Sequence, residues 1–95
     1  MEDFIAKRIE YKTLSVTDVD KWVEFDYKVQ CVHVKNVGDS TAYINFDGPA
    51  TTDSYDVKPG EAVTIMAEVK TVHAICNTGY STTLKIFGLA KEVVG

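Results

Sequence analysis

The feature that most constrains the fold of this chain is a series of short runs in which every second residue is apolar. The run over residues 29–37 places Val32 and Val34 on one face, and TTLKIFGLA repeats the pattern with Leu84 and Ile86. A period of two is the signature of a β-strand. About six such runs recur at intervals of roughly 8 to 12 residues, which is typical of a sandwich or a small barrel. We therefore expect an all-β protein.

The turns between these runs are marked by glycine, proline and asparagine. Pro59 and Gly60 suit the two central positions of a type II turn, because proline presets φ and the glycine supplies the positive φ that this turn requires. Since a type II turn fits a tight hairpin poorly, we expect this one to reverse the chain at a sandwich end or to cross between sheets. GDST and NTGYS predict further turns, and AYINF after GDST is predicted to be a hairpin partner of the preceding strand.

The length of 95 residues fits one small domain. We predict a single antiparallel β-sandwich, jelly-roll or immunoglobulin-like, of about six to eight strands over residues 21–95. The central core is predicted from the alternating positions of the clearest strands. These positions are Val32, Val34, Ile44, Phe46, Val63, Ile65, Leu84 and Ile86.

Residues 1–20 are predicted to form an N-terminal arm. Helical spacing of its apolar residues and a capping aspartate at Asp3 favour a short helix, whereas residues 9–17 alternate as a strand does, so both conformations stay open. We expect the arm to contact other subunits rather than to complete its own core, with an ordinary first strand as the alternative. The reason is its apolar content, which is too high for a free tail: Phe4, Ile5, Ile9, Tyr11 and Leu14.

The charge balance argues against several classes of partner. Acidic residues outnumber basic ones by 14 to 10, giving a net charge of −4, and no basic cluster exceeds Lys7 and Arg8. Nucleic-acid backbones and anionic membranes are bound mainly by cationic side chains, so neither partner is expected. No apolar run approaches the roughly 20 residues that span a bilayer, and the first residues, MEDF, are acidic where a signal peptide is basic. We expect folding in the cytoplasm.

Two cysteines and two histidines raise the question of a metal site or a disulfide. Cys31 and His33 share one face of a strand, while His73 and Cys76 fall on opposite faces of another. These four ligand types suit tetrahedral zinc, although their spacing matches no zinc finger. A disulfide between the cysteines is a second alternative. Two buried, reduced thiols are our prediction, because cytosolic thiols normally stay reduced.

The remaining candidates for a functional site have simpler interpretations. Asp47, Asp53, Asp56 and Glu61 surround two predicted turns, where carboxylates more often accept hydrogen bonds from the turn than hold calcium. Motifs of nucleophilic, zinc-hydrolase, phosphate-binding and dinucleotide-binding sites are missing from the sequence. We therefore predict no enzymatic activity and no cofactor. Four aromatic residues suit a sugar-binding face or, in our preferred interpretation, an interface: Trp22, Tyr43, Tyr55 and Tyr80.

The run HVKNVGDSTAYINFDGPATTDSYDVKPGEAVTIMAEVKTVHAICNTGYSTTLKIFGLA resembles the small β-sandwich structural proteins of tailed bacteriophages, such as capsid decoration, head-tail connector or completion, and tail proteins. The shared features are an asparagine-glycine turn, a strand carrying an aromatic residue, a proline-glycine-glutamate turn, and a final strand pair split by a threonine-rich turn. The resemblance covers roughly two thirds of the chain and lies at the level of the fold. It implies a virion protein without an enzymatic role.

These observations lead to one functional expectation and one alternative. We expect a structural protein of a bacteriophage particle, assembled in the host cytoplasm, that forms a homo-oligomer and binds other virion proteins through strand edges, loop tips and the arm. The alternative is a small binding module for carbohydrate or peptide. The residues predicted at the interface are Phe4, Ile5, Ile9, Tyr11, Pro49, Tyr55 and Pro59.

Overall fold

The computed structural model describes residues 6–91, and within this range the chain forms strands and loops without a helix. Eight strands follow one another within residues 6–91, and the longest are the first and the last. Their bounds are β1 Ala6–Val16, β2 Lys21–Val29, β3 Cys31–Asn36, β4 Ala42–Phe46, β5 Tyr55–Val57, β6 Ala62–Ile65, β7 Val69–Ile75 and β8 Thr82–Lys91.

The strands form two antiparallel sheets that face each other. The first sheet has the order β1-β8-β3-β6 and the second has the order β2-β7-β4-β5. Every connection except the one between β4 and β5 therefore crosses from one sheet to the other. This is the arrangement of a jelly roll, in which two Greek keys form a double sheet. The predicted all-β sandwich is confirmed, and of its two predicted topologies the jelly roll is the one found.

Two sequence-based predictions about connections are wrong for the same reason. The run 29–37 is not one strand, because the chain bends at Gln30: Val29 pairs with Val69 in the second sheet, whereas Cys31 pairs with Leu89 in the first. Likewise β4 is not a hairpin partner of β3, since the two strands lie in different sheets. The alternation of apolar and polar residues shows which face of a strand is buried. The same alternation is expected whichever of the two sheets the strand joins, so it does not identify the neighbouring strands.

The predicted turn at Pro59 and Gly60 is confirmed. Gly60 has a φ of 83°, and the amide of Glu61 donates to the carbonyl of Lys58 across 2.9 Å, as expected around the two central residues. The turn joins β5 of the second sheet to β6 of the first, so it crosses between sheets. A matching turn at Asn77–Tyr80 has Gly79 at a φ of 85° and carries the chain from β7 to β8.

The core between the sheets contains the predicted residues and several others. Val32, Val34, Ile44, Leu84 and Ile86 are buried, and the other three predicted residues are partly buried and packed against them. The largest side chain of the core was not predicted. It is Phe25 of β2, which lies with Val29 against Gly88 of β8. Further buried residues come from the ends of strands and from β7: Val16, Val57, Val69, Val72, Ala74 and Cys76.

From Ala6 onwards, the arm is part of the subunit's own sheet. β1 pairs with β8 along its length, from Ala6 opposite Lys91 to Val16 opposite Thr82. Leu14 is 7% exposed and Val16 is 0% exposed, and both belong to the core. The expectation that the arm lies outside the subunit's own core is therefore wrong for these two residues, and the helix alternative is excluded over 6–16. Phe4 and Ile5 lie outside the described residues.

The middle of β2 departs from regular pairing, and two side chains satisfy its backbone. The register of β2 against β7 shifts between Glu24 and Val29. The carboxylate of Glu10 on β1 accepts hydrogen bonds from the amides of Asp26 and Tyr27, at 2.7 and 3.2 Å. The ammonium of Lys70 donates to the carbonyls of Phe25 and Asp26. The contacts of Glu10 join the first sheet to the second at this side of the sandwich, whereas those of Lys70 hold β7 to β2 within the second sheet.

Candidate interaction surface

The four candidate zinc ligands do not come together. Cys31 and His33 occupy outward positions of β3, His73 lies on the outer face of the second sheet, and Cys76 belongs to the core between the sheets. Both cysteines are buried free thiols, as predicted. Burial raises the pKa of the Cys76 thiol above its ordinary value, and the charge of Asp18 acts in the same direction. Among the described residues, no group of three or more histidine, cysteine, aspartate or glutamate side chains is placed to hold a metal ion.

Two of the four loop carboxylates accept hydrogen bonds from backbone amides. Asp47, which has a φ of 59°, accepts hydrogen bonds from the amides of Lys70 and Thr71 at 2.8 Å each. Burial alone would raise the pKa of Asp47, but the hydrogen bonds from Thr71 and Lys70 lower it below the ordinary value. Glu61 accepts from the amide of Lys58 across 2.9 Å. Glu61 therefore stabilises its own turn, which was the simpler of the two interpretations, whereas Asp47 joins the loop after β4 to β7.

On the outer face of the second sheet, His73 lies between an aromatic ring and a carboxylate. Its ring stacks on Trp22 with centroids 5.4 Å apart, and its Nδ1 is 2.9 Å from a carboxylate oxygen of Asp20. The other oxygen of Asp20 accepts from the amide of Ala50. The side-chain nitrogen of the neighbouring Asn45 donates to the carbonyl of Pro49, and its side-chain oxygen accepts from the amide of Phe46. Hydrogen bonds within the protein therefore already engage the polar groups of Asp20, His73 and Asn45 beside Trp22.

The outer face of the first sheet carries the feature that best suits a binding surface. Tyr11 of β1, Phe87 of β8 and His33 of β3 lie in one row across three strands. The ring of Phe87 stacks on His33 with centroids 4.9 Å apart and contacts Tyr11 with centroids 6.3 Å apart. Ile9 and Leu89 form the next row. We call these five residues the aromatic patch; Tyr11 is 74% exposed and Ile9 is 50% exposed.

A row of lysines borders the aromatic patch. Lys35 of β3 lies directly opposite Lys85 of β8, two residues along each strand from His33 and Phe87. Both lysines are exposed, and the ammonium of Lys85 donates to the hydroxyl of Thr13 across 3.1 Å. An open depression runs between the patch and these lysines, lined by Tyr11, Lys12, Thr13, His33, Lys35, Lys85, Ile86 and Phe87. The outer face of the first sheet therefore carries the apolar patch with a row of positive charges next to it.

The predicted interface residues divide between two parts of the molecule. Ile9 and Tyr11 lie in the aromatic patch, while Pro49, Tyr55 and Pro59 are exposed in loops or at the edge of β5. Phe87 and Leu89 were not predicted at the interface, although a signal existed in the sequence. β8 is apolar on both faces, with Leu84 and Ile86 inward and Phe87 and Leu89 outward. A strand with one face in the core needs no such residues on the other.

Comparisons with known proteins define the fold. No family model matches the chain, and no curated protein matches it. A cupin superfamily protein from Desulfitobacterium hafniense has a similar structure, with a TM-score of 0.57 and 15% identity over 92% of this chain and 72% of that one. A cupin-2 domain containing protein from Shewanella frigidimarina has a TM-score of 0.51 and 16% identity, over 92% of this chain and 78% of that one. At these identities the likeness shows a shared β-barrel-like sandwich.

Within the described range, the structure has no helix long and apolar enough to cross a membrane.

Proposed function

We propose that this protein is a non-enzymatic structural subunit that assembles with copies of itself and with partner proteins through the outer faces of its sheets. The aromatic patch is the observation that carries the proposal. Ile9 and Tyr11 are large side chains that are at least half exposed, and they lie beside the partly buried Phe87 and Leu89. Contiguous exposed apolar side chains rimmed by polar residues are characteristic of protein interaction sites.

The energetic reason for assembly is the apolar area of this patch. Burying a large apolar side chain completely stabilises a protein by roughly 1.5 to 3 kcal/mol. A partner surface that covers Tyr11 and Ile9 recovers a large part of this free energy, and it also completes the burial of Phe87 and Leu89. Tyrosine and phenylalanine are enriched at the centres of interfaces for this reason.

A bacteriophage particle is the assembly that we propose for this subunit. The support is the sequence resemblance of residues 33–90 to virion β-sandwich proteins, together with the jelly-roll topology. The double-sheet jelly roll is the architecture of viral capsid domains, and also of lectins and cupins. The topology therefore supports assignment to a bacteriophage particle by analogy of fold. Neighbouring genes test it: genes for capsid, portal or tail proteins beside this one are expected, and neighbours encoding a metabolic pathway would contradict it.

The assembly itself is tested by measuring mass in solution. Sedimentation of the purified protein over a wide concentration range should show species heavier than the 10.5 kDa monomer. Tyr11→Ser should shift the protein towards the monomer without lowering its melting temperature, because the ring lies on the surface. Tyr80→Ser is the matched control, since Tyr80 is also an exposed tyrosine and lies in the turn before β8, outside the aromatic patch. A wild-type protein that stays monomeric at millimolar concentration would contradict the proposal.

A binding module for carbohydrate or peptide is the alternative function. Its best candidate is Trp22, which is 56% exposed and is the sole tryptophan of the chain. Ring contacts within residues 8–90 join Trp22 to His73, and none joins two of the four aromatic residues considered for a sugar-binding face. Titration with simple sugars, followed by the fluorescence of Trp22, tests this alternative. A saturable change at millimolar sugar would favour the binding module over the structural subunit.

A further inference from the structure

We infer that copies of this chain associate head to tail, with the outer face of the first sheet of one copy against the outer face of the second sheet of the next. This inference rests on the proposed function, because it names the partner of the aromatic patch. The partner surface belongs to a second copy, and it is centred on Trp22 and Glu24 of β2.

The first face needs an anionic partner. Lys35 and Lys85 stand opposite each other on neighbouring strands, an arrangement in which like charges destabilise a sheet unless something compensates them. Within the described residues neither lysine forms an ion pair. At the outward strand positions of this face from Ile9 to Ser15 and from Thr83 to Leu89, the described side chains include no carboxylate. A copy of the same face would bring more lysines against these two, so a symmetric contact is disfavoured.

The second face has the opposite charge. Glu24 of β2 and Asp56 of β5 occupy outward positions and are exposed. Glu24 lies 3.7 Å from Lys70 but remains 62% exposed, so its carboxylate is available to a further cation. At the outward positions of β4, β5 and β7, and of β2 from Trp22 to Glu24, the carboxylates of the described structure are Glu24 and Asp56, and no lysine occupies such a position. The ammonium of Lys70 reaches this side at Glu24, and Lys28 lies further along β2, where it pairs with Glu68. This face is acidic around an exposed aromatic ring.

The spacing of charge and ring is the same on the two faces. Phe87 and Lys85 are two residues apart on β8, and Trp22 and Glu24 are two residues apart on β2. Outward residues at this separation are roughly 7 Å apart on any strand. One face therefore offers a ring and a cation, and the other offers a ring and a carboxylate at the same distance. Placing Phe87 against Trp22 brings Lys85 within reach of Glu24.

The two faces lie on opposite sides of the sandwich, so such contacts continue from copy to copy. A heterologous contact of this kind produces a closed ring or an open filament, according to whether the rotation closes. Each four-stranded face is roughly 20 Å across. The surface that one such contact buries is therefore small, under about 1,200 Å² in total, which is at or below the lower limit of specific interfaces. Because each inner copy makes two contacts, assembly is expected to depend steeply on concentration. It should also weaken with salt, which screens exposed charges.

Charge reversal tests the direction of the contact. The variant Lys35→Glu/Lys85→Glu has two acidic faces, and the variant Glu24→Lys/Asp56→Lys has two basic faces. Each variant alone is expected to associate at least about 10-fold more weakly than the wild type, because like charges meet at the contact. An equimolar mixture is expected to assemble again, because acidic and basic faces then alternate along the assembly. All four positions are exposed, and unchanged circular dichroism and melting confirm the fold of each variant.

Two readouts are used, sedimentation and the emission of Trp22. In a head-to-tail assembly Trp22 is covered, so its emission moves to shorter wavelength in the wild type and in the mixture but not in either variant alone. Asp53→Lys controls for net charge, since Asp53 lies in the loop between β4 and β5, and it should assemble as the wild type does.

The other outcomes overturn the inference in distinguishable ways. Loss of assembly on Tyr11→Ser, with both charge-reversed variants still assembling and Trp22 exposed, shows a symmetric contact between aromatic patches; the proposed function then stands. Two monomeric variants whose mixture stays monomeric, or two variants that assemble as well as the wild type, also exclude the head-to-tail contact. A wild-type protein that is monomeric throughout contradicts the proposed function as well.

Discussion

The hydroxyl of Thr82 donates a hydrogen bond to the side-chain oxygen of Asn36 across 2.7 Å, and both residues are buried. The same oxygen accepts from the amide of Gly38 at 3.0 Å. The side-chain amide of Asn36 donates to the carbonyls of Ser40 and Val57, at 2.7 and 2.9 Å. One side chain therefore links the end of β3, the following loop, the end of β5 and the start of β8, which belong to both sheets.

We predict that Asn36→Ala lowers the free energy of unfolding by roughly 2 to 4 kcal/mol. The substitution leaves buried donors and acceptors without partners, and each such group costs about 1 to 3 kcal/mol before the structure relaxes. Urea denaturation measures the loss. Asn77→Ala is the control, because Asn77 is exposed and, within the described residues, its side-chain amide donates only to the hydroxyl of Tyr43. If both variants lose the same small amount, the Asn36 network does not hold the loops together.

The role of Asn36 could not be predicted from the sequence, whereas much of the core could. Val32 and Val34 reveal their burial through the residues beside them, because alternation is a local pattern. The hydrogen-bond partners of Asn36 include residues 21 and 46 positions away, so no local pattern signals them. The local alternation of apolar residues likewise located β4. It could not say which sheet β4 joins, because that depends on strands far away in the chain.

The candidate interaction surface could also be predicted only in part from the sequence. The composition of the arm indicated that Ile9 and Tyr11 are available for contacts, and both are exposed. That Phe87 lies beside Tyr11, and Lys85 opposite Lys35, follows from β8 lying between β1 and β3. That order is set by pairing between residues far apart in the chain, which a single sequence does not show.

Gly88 is predicted to be intolerant of a side chain. A Cβ at this position would lie 2.8 Å from Cγ1 of Val29 and 3.0 Å from Cε1 of Phe25, both inside the core. Gly88→Ala should therefore destabilise the protein by roughly 1 to 3 kcal/mol through overpacking. Thermal or urea unfolding measures the change.

A second substitution and a control separate overpacking from a general effect of replacing glycine. Val29→Ala removes the nearer contact, so the cost of Gly88→Ala should be smaller in the Val29→Ala background than in the wild type. Gly48→Ala is the control, because a Cβ there meets only the side-chain amide of Asn45 at 3.4 Å. Equal costs in both backgrounds would show that Gly88 is required for another reason.

Asp47 is predicted to make the stability depend on pH in acid. Because the pKa of Asp47 is lower in the folded protein than its ordinary value of 3.8, folding is favoured by the charged form. This stabilisation is present above the ordinary pKa and is lost as the pH falls through the lower, folded value. Asp47→Asn should lose about 1 kcal/mol at neutral pH, a modest figure because the side chain is exposed, and its stability should fall less below pH 4.

Asparagine is a suitable replacement at this position because it tolerates a positive φ and keeps an oxygen acceptor. Urea unfolding from pH 7 to pH 2 compares the variant with the wild type. Asp53→Asn controls for the removal of one surface charge, since Asp53 does not accept hydrogen bonds from a neighbouring strand in the described structure. Parallel stability profiles for Asp47→Asn and the wild type would show that the carboxylate does not contribute this pH dependence.

β1 is predicted to be essential for the fold of the subunit as well as for its surface. Deleting residues 1–16 removes Leu14 and Val16 from the core and leaves one edge of β8 without a partner, so the truncated protein should show no cooperative melting. A graded test avoids dependence on that single outcome: Val16→Ala should cost about 2 kcal/mol, while Val19→Ala, at an exposed position, should cost less than about 0.5 kcal/mol. A truncated protein that keeps β-type circular dichroism and a sharp transition would instead place the whole arm outside the core.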